Sequence, residues 1–333
     1  MSACYALGSV GLIYFLLEKE IISNLSDLLL VNLFILSILN ISLFLKIVSE
    51  IGFKVKFYEN KKAIIDDLKV GFPAVLNNLN ETFINIGDRY LIGWILGMAA
   101  VGFYTPAYAL ASLPVIFART LTGVLPPLLS KMHDDRDYTL RDIVLRVCLK
   151  YFIHLALGYF LICVFLGNEI LEFYINEEFA FKSINVYLII SFSAIFAGVN
   201  LVFSNLFVIL LKTKFMLKTN LLSFVINLIL NIVLLYIFED IVVAAITTLV
   251  CFLLVFWFYR LELKKDLPII LPLKDIIRVF SYLLFSTIFF LVMDNFLNLN
   301  LLSAIGCFIL LLLIPVLVTM RYDFKSIKQQ IRA

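Results

Sequence analysis

The most informative part of this chain for its fold is residues 71–131, GFPAVLNNLNETFINIGDRYLIGWILGMAAVGFYTPAYALASLPVIFARTLTGVLPPLLSK. It is long and apolar enough for two membrane helices, since a span needs about 20 mostly apolar residues. It nevertheless holds amide and charged side chains at membrane depth: Asn77, Asn78, Asn80, Glu81, Asn85, Asp88, Arg89 and Arg119. A charge at the bilayer centre costs about 2.5–3.5 kcal/mol, so such side chains face protein or water. They are the first candidates for a functional site.

The composition of the whole chain predicts a membrane protein. Of its 333 residues, 63% are hydrophobic and only 15% are charged, and the mean hydropathy is +1.04. Soluble domains carry about 25% charged residues. Long strands of alternating polarity are absent from the sequence, and only helices or closed barrels satisfy their backbone in lipid. We therefore predict an all-α fold.

Apolar windows predict a polytopic helical bundle of about ten transmembrane helices. The predicted spans are 3–17, 25–48, 70–96, 100–127, 145–166, 183–211, 219–238, 241–259, 276–293 and 299–319.

The charges between these spans alternate. Lysine and arginine are concentrated in 49–69, 128–144, 212–218, 260–275 and the tail after 320, whereas acidic residues dominate 18–20, 167–182, 239–240 and the turn at 294. Short cytoplasmic loops carry the excess of positive charge. We therefore expect both termini to be cytoplasmic, in a plasma or inner membrane.

Helical geometry brings the polar residues of the opening stretch together. Asn77, Glu81, Asn85 and Asp88 fall within about 80° of one another at 100° per residue. Asn78 and Arg89 lie on the flank of this stripe. The next helix runs the other way and brings Arg119 level with Asn77, close enough to reach Glu81. Both signs of charge are therefore expected at mid-membrane depth.

Two interpretations of this cluster remain open. Its charges could form ion pairs while its asparagines join helices, as polar residues often do in membrane bundles. A buried ion pair, however, is easily matched by apolar residues of similar volume. The cluster fits the wall of a water-filled cavity better, and arginine is suited to bidentate binding of phosphate.

Prolines interrupt the predicted 100–127 helix. Pro106 and Pro114 lie inside it, and interior prolines remove backbone hydrogen bonds and kink helices. The carbonyls that they free must be satisfied by neighbours or water. We expect a functional bend, a hinge, at Pro114, although Pro106 could merely occupy the first turn.

Weaker polar signals are scattered over the other spans. Asn200, Asn205, Asn227 and Asn231 could line the same cavity, but we favour a role in joining helices. A lone histidine such as His154 is more often hydrogen-bonded in a bundle than a proton shuttle.

The sequence lacks the motifs of soluble catalysis. It contains no P-loop, GxSxG or HExxH pattern, and the five cysteines show no CxxC pair or metal-ligand spacing. We expect a transporter and no enzyme, with no cofactor, no metal and no nucleic-acid partner.

The same stretch resembles polysaccharide flippases of the MOP exporter superfamily, the Wzx-like proteins, at the start of their C-terminal half. The ordered motifs are Gly71-Phe-Pro73, Asp88-Arg89-Tyr-Leu-Ile-Gly93, Val101-Gly-Phe-Tyr104 and Ala107-Tyr108. Residues 212–250 are similar to the family's tenth and eleventh helices. The chain departs from the family at Asp240–Ala245, where a glycine-rich turn is usual.

The resemblance implies a function and roles for the polar residues. The chain would move a polyprenyl-pyrophosphate-linked oligosaccharide, its partner besides membrane lipids, from the cytoplasmic to the outer leaflet. Arg89 and Arg119 would neutralise the pyrophosphate or sugar acids. Glu81 and Asp88 would hold these arginines and exchange protons or cations, and the asparagines would line the same cavity.

The alignment also implies a MATE/MOP-like fold with an incomplete N-terminal lobe. Residues 1–50 would be the last two helices of that lobe, followed by a cytoplasmic linker (51–69), a six-helix C-terminal lobe (70–259), a cytoplasmic loop (260–275), an additional helix pair (276–319) and a cytoplasmic tail (320–333). Because the first four helices are missing, we expect a partner chain or a second copy to supply them.

Two alternatives remain beside the flippase. One is a membrane scaffold or gene fragment that does not transport. The other is a MATE-type small-molecule antiporter of the same superfamily, for which fewer asparagines and a carboxylate-dominated cavity are expected.

Overall fold

The computed structural model describes residues 25–51 and 86–264, with isolated positions between 68 and 83 and between 281 and 306. All regular secondary structure in the described part of the chain is helical. The predicted all-α fold is confirmed. The first span, 3–17, and the last one, 299–319, lie essentially outside the described residues.

Eight helices occupy the two described ranges. They are α1 (Leu25–Ile51), α2 (86–95), α3 (Met98–Ala111), α4 (Leu113–Asp134), α5 (Tyr138–Tyr174), α6 (Glu177–Ile209), α7 (Thr213–Phe238) and α8 (Ile241–Leu263). The chain divides into two compact units, Met1–Ile65 and Asp66–Ala333.

The first unit contains α1, a 27-residue helix. Most of its described large apolar side chains are exposed, with Leu33 and Phe34 at 65% and 66%. Its polar side chains turn back onto the helix: Ser37 Oγ donates to the Leu33 carbonyl at 2.8 Å, and Asn40 Nδ2 to the Leu36 carbonyl at 2.9 Å. These bonds satisfy the polar groups locally, as a lipid environment requires.

In the second unit, the five helices from α4 to α8 are long and apolar enough to cross a membrane. The chain is thus a multi-pass membrane protein, and the predicted total of about ten spans remains a prediction.

The turns between these helices are much shorter than the predicted loops. The acidic loop expected at 167–182 shrinks to Ile175 and Asn176, because α5 and α6 continue past the apolar windows. The amide oxygen of Asn176 accepts from Phe179 N at 2.8 Å and caps α6. Asp137 and Asp240 cap α5 and α8 in the same way. Hydropathy locates the lipid-facing part of a helix, whereas capping determines where the helix begins.

The expected single helix 100–127 is wrong, because two helices, α3 and α4, occupy this region. They meet at Ser112, two residues before Pro114. Pro106 lies inside α3 and not in its first turn. At 14 residues α3 is about 21 Å long, too short to cross the roughly 30 Å hydrocarbon core by itself.

The most central helix of the second unit is α6, which packs against α3, α4, α5, α7 and α8. Of its most apolar window, 72% is buried in protein. One apolar cluster forms around Phe203 and Phe207, and another around Tyr187 and Ile190. A largely apolar helix that is enclosed by its neighbours provides a fixed frame on which the surrounding helices are placed.

Candidate functional site

A buried carboxylate joins four helices. Asp88 on α2 is 1% exposed. Its Oδ2 accepts from the Thr248 hydroxyl of α8 at 2.6 Å and from the Tyr104 hydroxyl of α3 at 3.1 Å. Its Oδ1 accepts from Asn231 Nδ2 of α7 at 2.8 Å. These three neutral donors satisfy a group that would be very costly to bury alone.

Further polar side chains hold the donors themselves in place. Asn231 Oδ1 accepts from the Thr247 hydroxyl at 2.6 Å, and its amide nitrogen also donates to Asn227 Oδ1 at 3.1 Å. The hydroxyl oxygens of Thr247 and Thr248 each lie 2.9 Å from the Ala244 carbonyl oxygen as well, so the single hydrogen of each hydroxyl is shared between two acceptors. We call Asp88, Tyr104, Asn227, Asn231, Thr247 and Thr248 the Asp88 network. It fixes the position of α2 against the lobe.

Arg89, the next residue along α2, points in another direction. Its guanidinium carbon lies 4.9 Å from the centre of the Tyr108 ring. Such stacking fits the planar, weakly hydrated guanidinium better than an ammonium group. The aromatic ring thereby restricts the orientations that Arg89 adopts.

Arg89 and Arg119 line one cavity of about 370 Å³. Ser112 and Tyr108 contribute to the wall, and the rest is largely apolar, formed by Ile86, Val115, Ile116, Ile190, Ala194 and Phe252. Asp88 is not among the lining residues. The structure therefore brings together the two predicted arginines, while Asp88 lies behind this wall in its own network.

Pro114 is buried beside this cavity, near the start of α4. Ser112 separates α3, which carries Tyr108, from α4, which carries Arg119. The interruption predicted from the prolines is present, and its role as a hinge remains a prediction.

Most of the predicted polar stripe lies outside the described residues. This applies to Asn77, Asn78, Glu81 and Asn85, and to Asn80 beside them.

Asn200 and Asn231 join helices, as favoured from the sequence, whereas Asn205 Nδ2 donates within α6 to the Leu201 carbonyl at 3.2 Å and Asn227 bonds to Asn231 on its own helix α7. Asn200 Nδ2 of α6 donates to the Phe252 carbonyl of α8 at 3.0 Å, and Asn231 reaches Asp88 across helices.

The sequence interpretation did not single out Tyr104, Thr247 or Thr248. A signal was present, since two adjacent threonines interrupt the otherwise apolar α8, and Asn227 and Asn231 lie one turn apart on α7. Asp88, to which Asn231 and Thr248 bond directly, lies 143 and 160 residues earlier and could not be identified from spacing. In the described part of the chain, no three His, Cys, Asp or Glu side chains form a metal-binding group.

Comparisons with known proteins agree with this architecture. Residues 25–150 match a family described as polysaccharide biosynthesis protein. No curated protein matched the sequence.

Solved structures share the fold at low sequence identity. The lipid II flippase MurJ in an inward closed conformation superimposes with a TM-score of 0.66, 19% identity, and coverage of 88% of this chain and 61% of the flippase. An outward-facing multidrug resistance MATE transporter of the MOP superfamily has a TM-score of 0.50 and 20% identity, covering 69% of this chain and 54% of the transporter. A MOP superfamily transporter from Pyrococcus furiosus gives a TM-score of 0.50, 19% identity and the same coverages.

The present chain thus spans less than two thirds of the length of these solved proteins. Its fold is shared with the lipid II flippase MurJ and with these MOP-superfamily transporters, and its residues 25–150 match a family described as polysaccharide biosynthesis protein.

Proposed function

We propose that this chain forms the C-terminal lobe of a flippase that moves a polyprenyl-pyrophosphate-linked oligosaccharide across the membrane. The observation that carries the proposal is the cavity shared by Arg89 and Arg119 within a membrane lobe. The match of residues 25–150 to a polysaccharide biosynthesis family supports it. So does the fold shared with the lipid II flippase MurJ.

The chemistry of the cavity fits the anionic part of such a substrate. Two guanidinium groups present planar donor pairs to phosphate oxygens. The electrostatic attraction between these groups and an anion is stronger beside apolar side chains such as Ile116 and Phe252, because such walls exclude water. A volume of about 370 Å³ lies within the usual ~300–1,000 Å³ of a small-ligand pocket. The pyrophosphate would enter it, while the prenyl chain stays in lipid.

The Asp88 network supports this arrangement mechanically. Asp88 anchors α2 through α3, α7 and α8, and Arg89 is the next residue. The anchoring side chain and the substrate-binding side chain are therefore rigidly connected. Exchange of a proton or cation at Asp88 or Glu81 would couple transport to a gradient in the proposed cycle.

The cavity argues against the MATE-type alternative. A small-cation antiporter requires a carboxylate at its site, whereas the described lining residues carry two arginines and no Asp or Glu. The flippase is proposed to lie in the plasma or inner membrane with both termini cytoplasmic. Membrane lipids and a partner chain or second copy would complete the walls of its transport path.

Substitution of the arginines tests the proposal. Arg119→Lys and Arg89→Lys keep the charge but lose the bidentate fork. We expect each to lower export of surface polysaccharide about tenfold or more, equivalent to about 1.4 kcal/mol of barrier. Export is measured at matched protein abundance, in cells whose surface polysaccharide depends on this chain.

Arg136→Lys is the matched control, because Arg136 is exposed in the turn before α5, outside the cavity. Its export should equal that of the unmodified chain. Full export by Arg119→Ala would reduce Arg119 to a structural role and remove the main support for an anionic substrate.

A further inference from the structure

The break between α3 and α4 lies between the two arginines of the cavity. Tyr108, which stacks against Arg89, is on α3 four residues before Ser112. Arg119 is on α4, seven residues after Ser112 and thus about two helical turns away. The angle between α3 and α4 therefore sets how far apart the two guanidinium groups lie.

Pro114 leaves a particular carbonyl without its helical donor. In a continuous helix the N–H of residue 114 would donate to the Leu110 carbonyl, but proline has no N–H. The Tyr159 hydroxyl of α5 donates to that carbonyl at 2.6 Å. The Tyr159 oxygen also lies 3.1 Å from the Tyr187 oxygen of the central helix α6.

A second carbonyl at the same break is satisfied within the segment itself. Ser112 Oγ donates to the Ala109 carbonyl at 3.1 Å, while Ser112 N donates to the Tyr108 carbonyl at 3.0 Å. Tyr159 differs from Ser112 because it belongs to another helix. Its bond therefore joins the end of α3 to the α5 and α6 frame.

We propose that Tyr159 is a positioning residue that sets the bend at Ser112 and, through it, the spacing of Arg89 and Arg119. Tyr159, Tyr187 and the Leu110 carbonyl together form what we call the Tyr159 latch. The closed latch holds α3 against the rigid centre of the lobe. Opening it frees α3 and α4 to change their angle. The consequence for substrate binding rests on the proposed function, but the control of the bend does not.

A simpler role would leave the bend to Pro114 alone, with Tyr159 merely satisfying a carbonyl. The two roles differ in the single substitution Tyr159→Phe, which changes the bend only if the latch sets it. A double substitution then tests whether the latch acts through the Leu110 carbonyl. Pro114→Ala restores an N–H four residues after Leu110, so the helix itself supplies the missing donor. If the latch sets the bend, the effect of Tyr159→Phe disappears in the Pro114→Ala chain.

The test measures the distance between spin labels at Ala99→Cys on α3 and Val124→Cys on α4, both exposed positions. Cys4, Cys148 and Cys307 are replaced by alanine, and the buried Cys163 and Cys251 remain. Pulsed electron spin resonance in nanodiscs then reports the distance distribution in the full chain. We expect Tyr159→Phe to broaden the distribution and shift its mean, and the Pro114→Ala and Tyr159→Phe double variant to match Pro114→Ala alone.

Tyr259→Phe is the control, because it removes another largely buried hydroxyl bond, to Asn220 at 3.1 Å, away from the break. It should leave the distribution unchanged. Tyr187→Phe provides a milder test if Tyr159→Phe does not fold, and it should broaden the distribution less. A distribution unchanged by both latch variants, or broadened equally with and without Pro114, would overturn the proposal. Neither result depends on what the cavity transports, so failure of the flippase proposal remains a separate outcome.

Discussion

At the scale of single residues, the best-supported polar group in the described chain is Asp88. It is enclosed by helices, and its three hydrogen-bond donors are two hydroxyls and one amide. Removing one partner of a buried polar group costs more than the bond contributes, because the remaining partner stays desolvated. Removing any one of these donors is therefore expected to lower the stability of the protein.

Thr248→Val should destabilise the protein by about 1–3 kcal/mol, since valine has nearly the same shape but cannot donate to Asp88 Oδ2. The measurement is the midpoint of thermal unfolding of the purified protein in detergent. Thr120→Val serves as the control, because Thr120 is exposed and its hydroxyl bonds only within its own helix, to the Ile116 carbonyl at 3.0 Å. Equal midpoints for the two variants would mean that the Asp88 network contributes little stability.

At the scale of helices, α6 provides the frame and its small residues set how closely neighbours approach. Gly198 faces the ring of Phe152 on α5, and a Cβ built on Gly198 would lie 2.0 Å from Phe152 Cζ. No non-bonded contact between heavy atoms is that short, so any side chain at 198 must displace the Phe152 ring. The close packing of α5 on α6 depends on this glycine.

Gly198→Ala should cost about 1–3 kcal/mol through overpacking. Phe152→Leu in the same chain should recover part of that loss, because the two positions are in contact and their effects are not additive. Gly102→Ala on α3 is the matched control, since a Cβ there meets nothing within 4 Å. Unfolding of these three variants and the unmodified chain in detergent gives the comparison, and a Gly198→Ala chain as stable as Gly102→Ala would contradict the packing described for α5 and α6.

At the scale of the whole lobe, the turns are sorted to two ends. Lys212, in the turn before α7, pairs with Glu262 near the end of α8 at 3.0 Å. At the opposite end, Leu96, Lys182 and Asp240 line one pocket of about 520 Å³, so three connections meet there. This agrees with the alternation of charge along the sequence, and it leaves the direction of the lobe relative to the cytoplasm as a prediction.

Cysteine labelling from outside intact cells determines that direction. With Cys4, Cys148 and Cys307 replaced by alanine, a membrane-impermeant maleimide should modify Glu177→Cys and leave Asp135→Cys untouched, because basic loops stay cytoplasmic. Both positions are exposed at helix ends, so access to the reagent is comparable. Labelling of Asp135→Cys without permeabilisation would reverse the orientation. The other predicted markers, Lys62, Lys265 and Asp294, lie outside the described residues.

The amino-acid sequence alone was enough to predict the all-α membrane fold and the approximate positions of α5 to α8. It did so because a 30 Å apolar layer imposes length and hydropathy on each span, whatever the span packs against. It also singled out Asp88, Arg89 and Arg119 as candidates, since polar groups at that depth are costly, and their functional roles stay predictions. The break near Pro114 was foreseeable for a similar reason, because a missing N–H is a local property.

Only the tertiary structure decided what each of these groups contacts. Asp88 and Arg89 are adjacent, and about 100° of helical rotation separates their side chains. Which of them meets a cavity and which meets Thr248 depends on how α3, α7 and α8 pack around α2. The role of Tyr159 could not be predicted from the sequence, because the carbonyl to which it donates lies 49 residues earlier. Such contacts arise from packing between distant segments, which neither periodicity nor hydropathy encodes.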